Sequence, residues 1–211
     1  RRTKGRTTNE YFMGAMCFRS GRDTLKAIAR EFKPTVALIP ALACDSMVLP
    51  FEMYGHRIRY YKLNPDYSIN LESLNSALND VGKEALFLYM DYFGNSAIND
   101  NELNRLKTSY PDLIFIEDRT HNLLAERKSK FEPDFVMASL RKWMDIPDGG
   151  LLWPKGDLRN CDFSRDTSFS EKRLEAQCMM HEYLQTGHLK TKTCYRNIFS
   201  SVSSIIDTDT K

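Results

Sequence analysis

Leu113-Ile114-Phe115-Ile116-Glu117-Asp118 is a run of four apolar residues that stops abruptly at two carboxylates. An apolar run with no polar alternation suits a strand buried on both faces, and such strands belong to parallel sheets covered by helices. The runs around it have the same character. Ala85 to Met90 reads as a strand, as does Thr35-Val36-Ala37-Leu38-Ile39, which stops at Pro40. Arg57 to Leu63 is a β-rich run before the turn Asn64-Pro65-Asp66. Phe135-Val136-Met137-Ala138 and Gly150-Leu151-Leu152-Trp153 complete the series. Helical patterns fall between them. Ser20 to Phe32 puts Leu25, Ile28, Ala29 and Phe32 on one face, and Asp45 to Tyr54 ends at Gly55. Leu71 to Leu78 and Asn101 to Thr108 are two more. Strand and helix in alternation predict an α/β fold, a mostly parallel central sheet with helices on both faces.

The texture changes after Gly156. Asp157 to Phe169 is polar and irregular, and Glu171 to Leu184 and Cys194 to Ile206 read as two helices with no strand between them. Three regions follow: an N-terminal segment at 1–17, a sheet domain at 18–156, and a helical bridge at 157–211. The bridge carries an apolar face (Leu174, Met180, Leu184, Ile198, Val202, Ile205) that is expected to be exposed and to favour association.

Composition narrows the function. With 211 residues the chain is one large domain or one and a half small ones, long enough for a sizeable core. Thirty Lys and Arg against 28 Asp and Glu leave a net charge of +2, which excludes a nucleic-acid wrapper. No apolar run approaches the roughly 18 to 20 residues that cross a bilayer. The basic opening Arg1-Arg2-Thr3-Lys4-Gly5-Arg6 lacks the apolar core of a signal peptide and reads as a frayed tail or the remnant of a longer chain. The absence of an initial Met points the same way, to a fragment or a processed form. Five scattered cysteines (Cys17, Cys44, Cys161, Cys178, Cys194) without a C-x-x-C predict neither disulfides nor zinc, and the four histidines have no metal-ligand spacing. A cytoplasmic setting is the expectation.

In an open parallel sheet, ligands bind at the carboxyl ends of the strands. Asp118 follows one strand, and Ser139, Arg141 and Lys142 follow the next. Asp91 and Tyr92 follow a third, and Cys44 and Asp45 lie just past Pro40. Ser20-Gly21-Arg22-Asp23 opens the first helix, where backbone N–H groups and the dipole favour a phosphate. A lysine, a carboxylate and an anion cradle together suit pyridoxal 5′-phosphate. That cofactor needs an amine for its aldehyde, an acid beside its ring nitrogen and donors for its phosphate.

These residues resemble a known family. Ile116-Glu117-Asp118-Arg119-Thr120-His121 is similar to the E-D-x-x-H/Q segment of fold-type-I pyridoxal-phosphate enzymes, most of all the DegT/DnrJ/StrS sugar aminotransferases. Ser139-Leu140-Arg141-Lys142 with Pro147-Asp148-Gly149-Gly150 resembles the family's serine, Schiff-base lysine and trailing glycine pair. Ser20 to Leu25 resembles its phosphate-binding helix start, and Tyr92-Phe93-Gly94 its L-Y-G. The resemblance runs from about Phe18 to Trp153 and implies the large domain of the fold-type-I transferase fold. It assigns Lys142 to the Schiff base and to proton transfer between Cα and C4′, and Asp118 to the pyridinium nitrogen. His121 contacts the phenolic oxygen or packs beside it. Gly21, Arg22 and Ser139 hold the phosphate, with the Arg22 side chain adding charge or facing solvent.

Two departures stand out. The family places an aromatic residue over the ring just after Pro40, where this chain has Ala41-Leu42-Ala43-Cys44. Cys44 or Leu42 then covers the ring, or Tyr92 reaches in; Cys44 is otherwise expected to be a small buried core residue. The serine three places before the lysine points to a divergent branch. The family also continues into a small C-terminal domain, and the two closing helices look like the bridge into it. The resemblance implies an aminotransferase that takes an amino-acid donor and a keto acceptor, such as a keto-sugar nucleotide, and works as a homodimer. Lyase or desulfurase chemistry at the same lysine, or a non-catalytic domain of this fold, are the alternatives.

Overall fold

In the computed structural model, residues 12–33, 35–79, 81, 84–127, 129–156, 158 and 167–208 are described. The basic opening, Cys161 and most of the polar stretch after Gly156 lie outside them. Seven strands among the described residues form one sheet: β1 (Met16–Phe18), β2 (Val36–Pro40), β3 (Arg57–Tyr61), β4 (Ala85–Met90), β5 (Leu113–Asp118), β6 (Phe135–Ser139) and β7 (Gly150–Pro154). Their order is β1-β7-β6-β5-β4-β2-β3. All pairings from β3 across to β6 are parallel, and β7 runs antiparallel to both β6 and β1.

The helices cover both faces, as the unbroken apolar strands require. On one side α1 (Gly21–Glu31) and α2 (Asp45–Met53) bury Leu25, Ile28, Ala29, Met47 and Phe51 against Ala37, Ile39, Leu86, Leu88 and Ile116. On the other side α3 (Leu71–Asn79) and α4 (Asp100–Ser109) bury Leu74, Leu78, Leu103 and Leu106 against Leu38, Phe87 and Phe115. Alternate residues of each central strand thus feed opposite cores.

Three differences from the sequence reading have physical causes. Pro40 is the last residue of β2 rather than the first beyond it. The β2–β4 ladder spans only Val36 to Leu38, so no partner needs the N–H that Pro40 lacks. Glu117 and Asp118 belong to β5, paired through to Met90 on β4, so both carboxylates are held by the sheet. β1 is an additional strand; its three residues, with Cys17 exposed, are too few to show a period.

The closing helices α5 (Ser168–Thr186) and α6 (Leu189–Thr208) are longer than expected and form a hairpin, with Gly187 as a left-handed cap at φ 71°. Their apolar face is not simply exposed. Val202 is fully buried with Phe169 and Ile206, and Ile198 packs against them. Leu174, Leu184 and Ile205 do face solvent.

Candidate functional site

The carboxyl ends of β2, β4, β5 and β6 and the start of α1 bring the chosen residues to one region. Hydrogen bonds connect them. Asp118 Oδ1 accepts from the Thr120 N–H at 2.8 Å, and Thr120 Oγ1 accepts from the Ser139 N–H at 3.0 Å. Ser139 in turn abuts Gly21: a Cβ on Gly21 would lie 3.1 Å from Ser139 Cβ and 3.7 Å from its Oγ. β5, the turn after it, β6 and α1 are therefore joined at the site.

Asp118 and its neighbour Glu117 differ in one decisive respect. Both are buried, on opposite faces of the sheet. Glu117 is balanced within the protein, because Arg127 donates to it from Nε at 3.0 Å and from Nη2 at 2.9 Å, with Arg119 3.9 Å away. Asp118 has no cation against it among the described residues and accepts only from Thr120. Burial raises its pKa to about 6, opposed by the Thr120 hydrogen bonds and assisted by the Glu117 charge. A buried carboxylate lacking a positive partner is costly to the fold and suited to a cationic ligand.

Lys142 closes the short 3-10 turn Leu140–Lys142 after β6, and its side chain is exposed. His121 faces the same space. Its pKa is lowered, first by burial and then by the Lys142 charge, so the imidazole is neutral near pH 7. Phe93 lies almost parallel to His121, at 5.1 Å between centroids and 27°, and Tyr92 meets its edge at 5.9 Å. The Phe93 N–H donates to His121 Nδ1 at 3.3 Å. Tyr67 packs on Phe93 at 5.2 Å, and these two are the non-glycine residues with left-handed backbone among the described residues, at φ 67° and 55°. Such strain clusters at functional sites.

The anion cradle has the geometry of a helix start. Ser20 caps α1, accepting from the Asp23 N–H at 3.1 Å while its hydroxyl donates to Asp23 Oδ2 at 2.8 Å. Gly150 lets β7 approach this cap closely; a Cβ there would sit 2.2 Å from the Ser20 carbonyl oxygen. Ser139 is only 8% exposed, and its hydroxyl makes no hydrogen bond among the described residues. Arg22, the second residue of α1, is half-buried beside this region.

Cys44 does not match the expectation of a small buried core residue. It is exposed, caps α2 and contacts Ser46 Oγ at 2.9 Å, because the chain has already left the sheet at Ala41. The Tyr92 hydroxyl donates to the Leu42 carbonyl at 2.6 Å, so Tyr92 does reach the segment that lacks an aromatic. Burial, helped by the charges of Asp118 and Cys44, pushes the Tyr92 phenol far up. Thr120, Tyr67 and Trp143, whose indole N–H donates to the Thr120 carbonyl, were not singled out in the sequence. Their place is set by tertiary contacts; only the position of Thr120 two residues after Asp118 carried a signal. Among the described residues no helix is long and apolar enough to cross a membrane. None of their His, Cys, Asp and Glu groups could hold a metal ion.

No protein-family model and no curated protein matches the sequence. Solved structures do match. A GDP-4-keto-6-deoxy-D-mannose-3-dehydratase of E. coli with bound hydrated pyridoxal phosphate aligns at TM-score 0.57 and 18% identity, over 70% of this chain and 41% of that one. A DegT/DnrJ/EryC1/StrS aminotransferase from Brucella abortus aligns at 0.53 and 17%, over 80% and 46%. NtdA from Bacillus subtilis with bound pyridoxamine phosphate aligns at 0.57 and 15%, over 80% and 36%. This chain spans less than half the length of each. At these identities the likeness shows the fold, the α/β fold of fold-type-I pyridoxal-phosphate enzymes.

Proposed function

We propose that this chain is the cofactor-holding part of a pyridoxal-phosphate-dependent aminotransferase, moving an amino group from an amino-acid donor to a keto acceptor through a Schiff base at Lys142. The observation that carries the reading is Asp118: a buried carboxyl with no cation against it among the described residues, at the end of the strand beside the one that leads into the turn carrying exposed Lys142. When bound, the cofactor supplies a ring that accepts electrons from a weakened Cα bond, provided that its nitrogen stays protonated. Asp118 holds that proton at the ring nitrogen. Ser139 and the Gly21 and Arg22 end of α1 hold the phosphate. Lys142 would supply the amine for the aldehyde and would move the proton between Cα and C4′. His121, neutral and stacked on Phe93, would contact the phenolic oxygen or pack beside it. Tyr92 and Cys44 line the wall towards Leu42.

The fit is supported by three features of the chain: the acid without a cation among the described residues, the largely buried Ser139 and the glycine that packs against it. The amino-donor half of the reaction tests the reading. With pyridoxal phosphate bound and L-glutamate added, one equivalent of 2-oxoglutarate per site is expected, together with pyridoxamine phosphate. The acceptor class, a keto-sugar nucleotide or another small keto metabolite, is then found by asking which compound turns the amine form back. Elimination is the second reading, favoured by the dehydratase among the similar structures. Release of ammonia or water from the substrate with no pyridoxamine phosphate would replace transamination by it.

A second copy of the chain belongs to the same proposal. Leu42 (53% exposed), Phe93 (66%) and Trp143 (44%) fringe the carboxyl end of the sheet, more apolar surface than an open cleft needs. A homodimer covering this rim would exclude water from the site. Sedimentation at micromolar concentration is expected to give a dimer that Phe93→Asp shifts to monomer; a wild-type monomer at every concentration contradicts it.

A further inference from the structure

Past its last paired residues the sheet no longer holds β5 and β6 together. Their ladder joins Ile116–Asp118 to Phe135–Met137, and the Arg119 N–H closes it by donating to the Met137 carbonyl at 2.8 Å. The proposed chemistry lies at and beyond this end, with Asp118 on one side and Ser139 and the Leu140–Lys142 turn on the other. Thr120 reaches both sides, with a different group each time. Its N–H donates to Asp118 Oδ1 at 2.8 Å, and its Oγ1 accepts from the Ser139 N–H at 3.0 Å. Its carbonyl accepts from the indole N–H of Trp143, the residue after Lys142.

Two of these bonds span 19 and 23 residues of sequence. They are therefore more than the local turn closure that a residue two places after an aspartate ordinarily supplies. Thr120 and Ser139 are buried, where a lost partner is costly. Trp143 is exposed, so burial does not force its N–H onto a protein acceptor. Its bond pins the backbone that follows Lys142, and its own N–H turns back onto the Leu140 carbonyl at 2.9 Å.

We infer that Thr120 and Trp143 are positioning residues, which together hold the Asp118 carboxyl and the turn that carries Lys142 at one separation. The catalytic sense of this rests on the pyridoxal-phosphate reading. The cofactor's pyridine ring is rigid, with nitrogen and aldehyde at opposite ends, so an acid serving one and an amine serving the other must keep their spacing. The same bonds carry the charge state of Asp118 to Trp143. The N–H and hydroxyl of Thr120 both favour the ionised carboxyl, against the burial that raises it. Loss of that charge weakens their hold on Thr120 and changes the acceptor that the indole meets.

The coupling is read first without cofactor, from the indole N–H signals of the two tryptophans in proton–nitrogen correlation spectra across pH. The Trp143 signal is expected to move with the Asp118 midpoint of about 6 and to lose that step in Asp118→Asn. Trp153, which donates to the Met13 carbonyl, stays still in both. Glu117 and Tyr92 are the titratable groups whose charges meet Asp118, while His121 follows Thr120 and Lys142 precedes Trp143. All four remain in Asp118→Asn, so a step of theirs survives there. A Trp143 signal that does not move, or that moves alike in Asp118→Asn, overturns the inference.

With pyridoxal phosphate bound, a single conversion by L-glutamate is expected to slow roughly tenfold in Thr120→Val and in Trp143→Phe, while cofactor affinity changes by less. Trp143→Phe keeps the apolar surface of the rim, and it carries the comparison alone if Thr120→Val does not fold. Thr120→Ser, which restores the hydroxyl, stays near the wild type. An unchanged rate in Trp143→Phe, a loss of affinity equal to the loss of rate, or a Thr120→Ser as slow as Thr120→Val overturns the inference. If the wild type does not react at all, the proposed function fails, and the cofactor-free titration decides the coupling by itself.

Discussion

Asp118→Asn is expected to gain stability relative to the wild type as pH rises, by about 3 kcal/mol between pH 4 and pH 8 in the ligand-free protein. The sign follows from the direction of the shift. Burial raises the folded-state pKa from 3.8 to about 6, so the folded protein prefers the neutral acid. Below 3.8 both folded and unfolded chains are protonated and there is no penalty. Between 3.8 and 6 the unfolded chain ionises first, and the native state loses stability steadily. Above 6 the whole penalty is present. The asparagine carries none of it, and its Oδ1 still accepts the Thr120 N–H. For a chain of this size the difference corresponds to a relative Tm change of roughly 6–12 °C.

The same substitution should lower the amino-donor reaction by about a hundredfold or more, because a neutral amide does not hold the ring nitrogen's proton. Bound pyridoxal phosphate should also stabilise the wild type more than the variant, since its pyridinium is the cation that Asp118 lacks. Thermal melts across pH, with and without cofactor, read the two stability effects, and 2-oxoglutarate released from L-glutamate reads the loss of reaction. Parallel pH profiles for wild type and variant would mean that Asp118 is an ordinary buried carboxyl with compensation of its own.

What the sequence revealed and concealed follows from where each signal resides. Ala85–Met90 is legible to the residue because six apolar side chains in a row have no alternative to a doubly covered strand. The strand-end positions of Asp118, Ser139 and Lys142 were legible because the apolar runs before them mark where each strand stops. β1 was not, since three residues pair with β7 only after β7 has formed the edge. Cys44 was misplaced because composition alone does not tell a core cysteine from one that caps a helix. The segment after the β6 turn lies far from α5 in the sequence, and only tertiary packing brings the two together. Asp145 shows the same packing, accepting from Gln177 at 2.7 Å and contacting His181 at 2.9 Å.

The contrast between Glu117 and Asp118 was equally hidden. Adjacent acids look alike in the sequence, yet period-two geometry sends one toward Arg127 and leaves the other buried without a cation among the described residues. The arginine is ten positions further on, in a loop with no pattern to announce it.

Lys142→Ala carries the other large effect, loss of the covalent link to the cofactor. Lysine amines elsewhere on the surface also meet the aldehyde, but without an anion cradle beside them and an acid across the cleft. On the proposed reading Lys142 has both, on a turn tied to the residue before β7 by the Leu140 N–H donating to the Gly149 carbonyl at 2.9 Å. With one equivalent of pyridoxal phosphate and borohydride, wild type is expected to carry one reduced pyridoxyl group per chain, found by peptide mass spectrometry on the segment containing Lys142. Lys142→Ala is expected to carry none. Equal labelling of the two proteins, scattered over other lysines, or no labelling of a wild type that is folded and dimeric, would contradict the assignment of this cleft to pyridoxal phosphate.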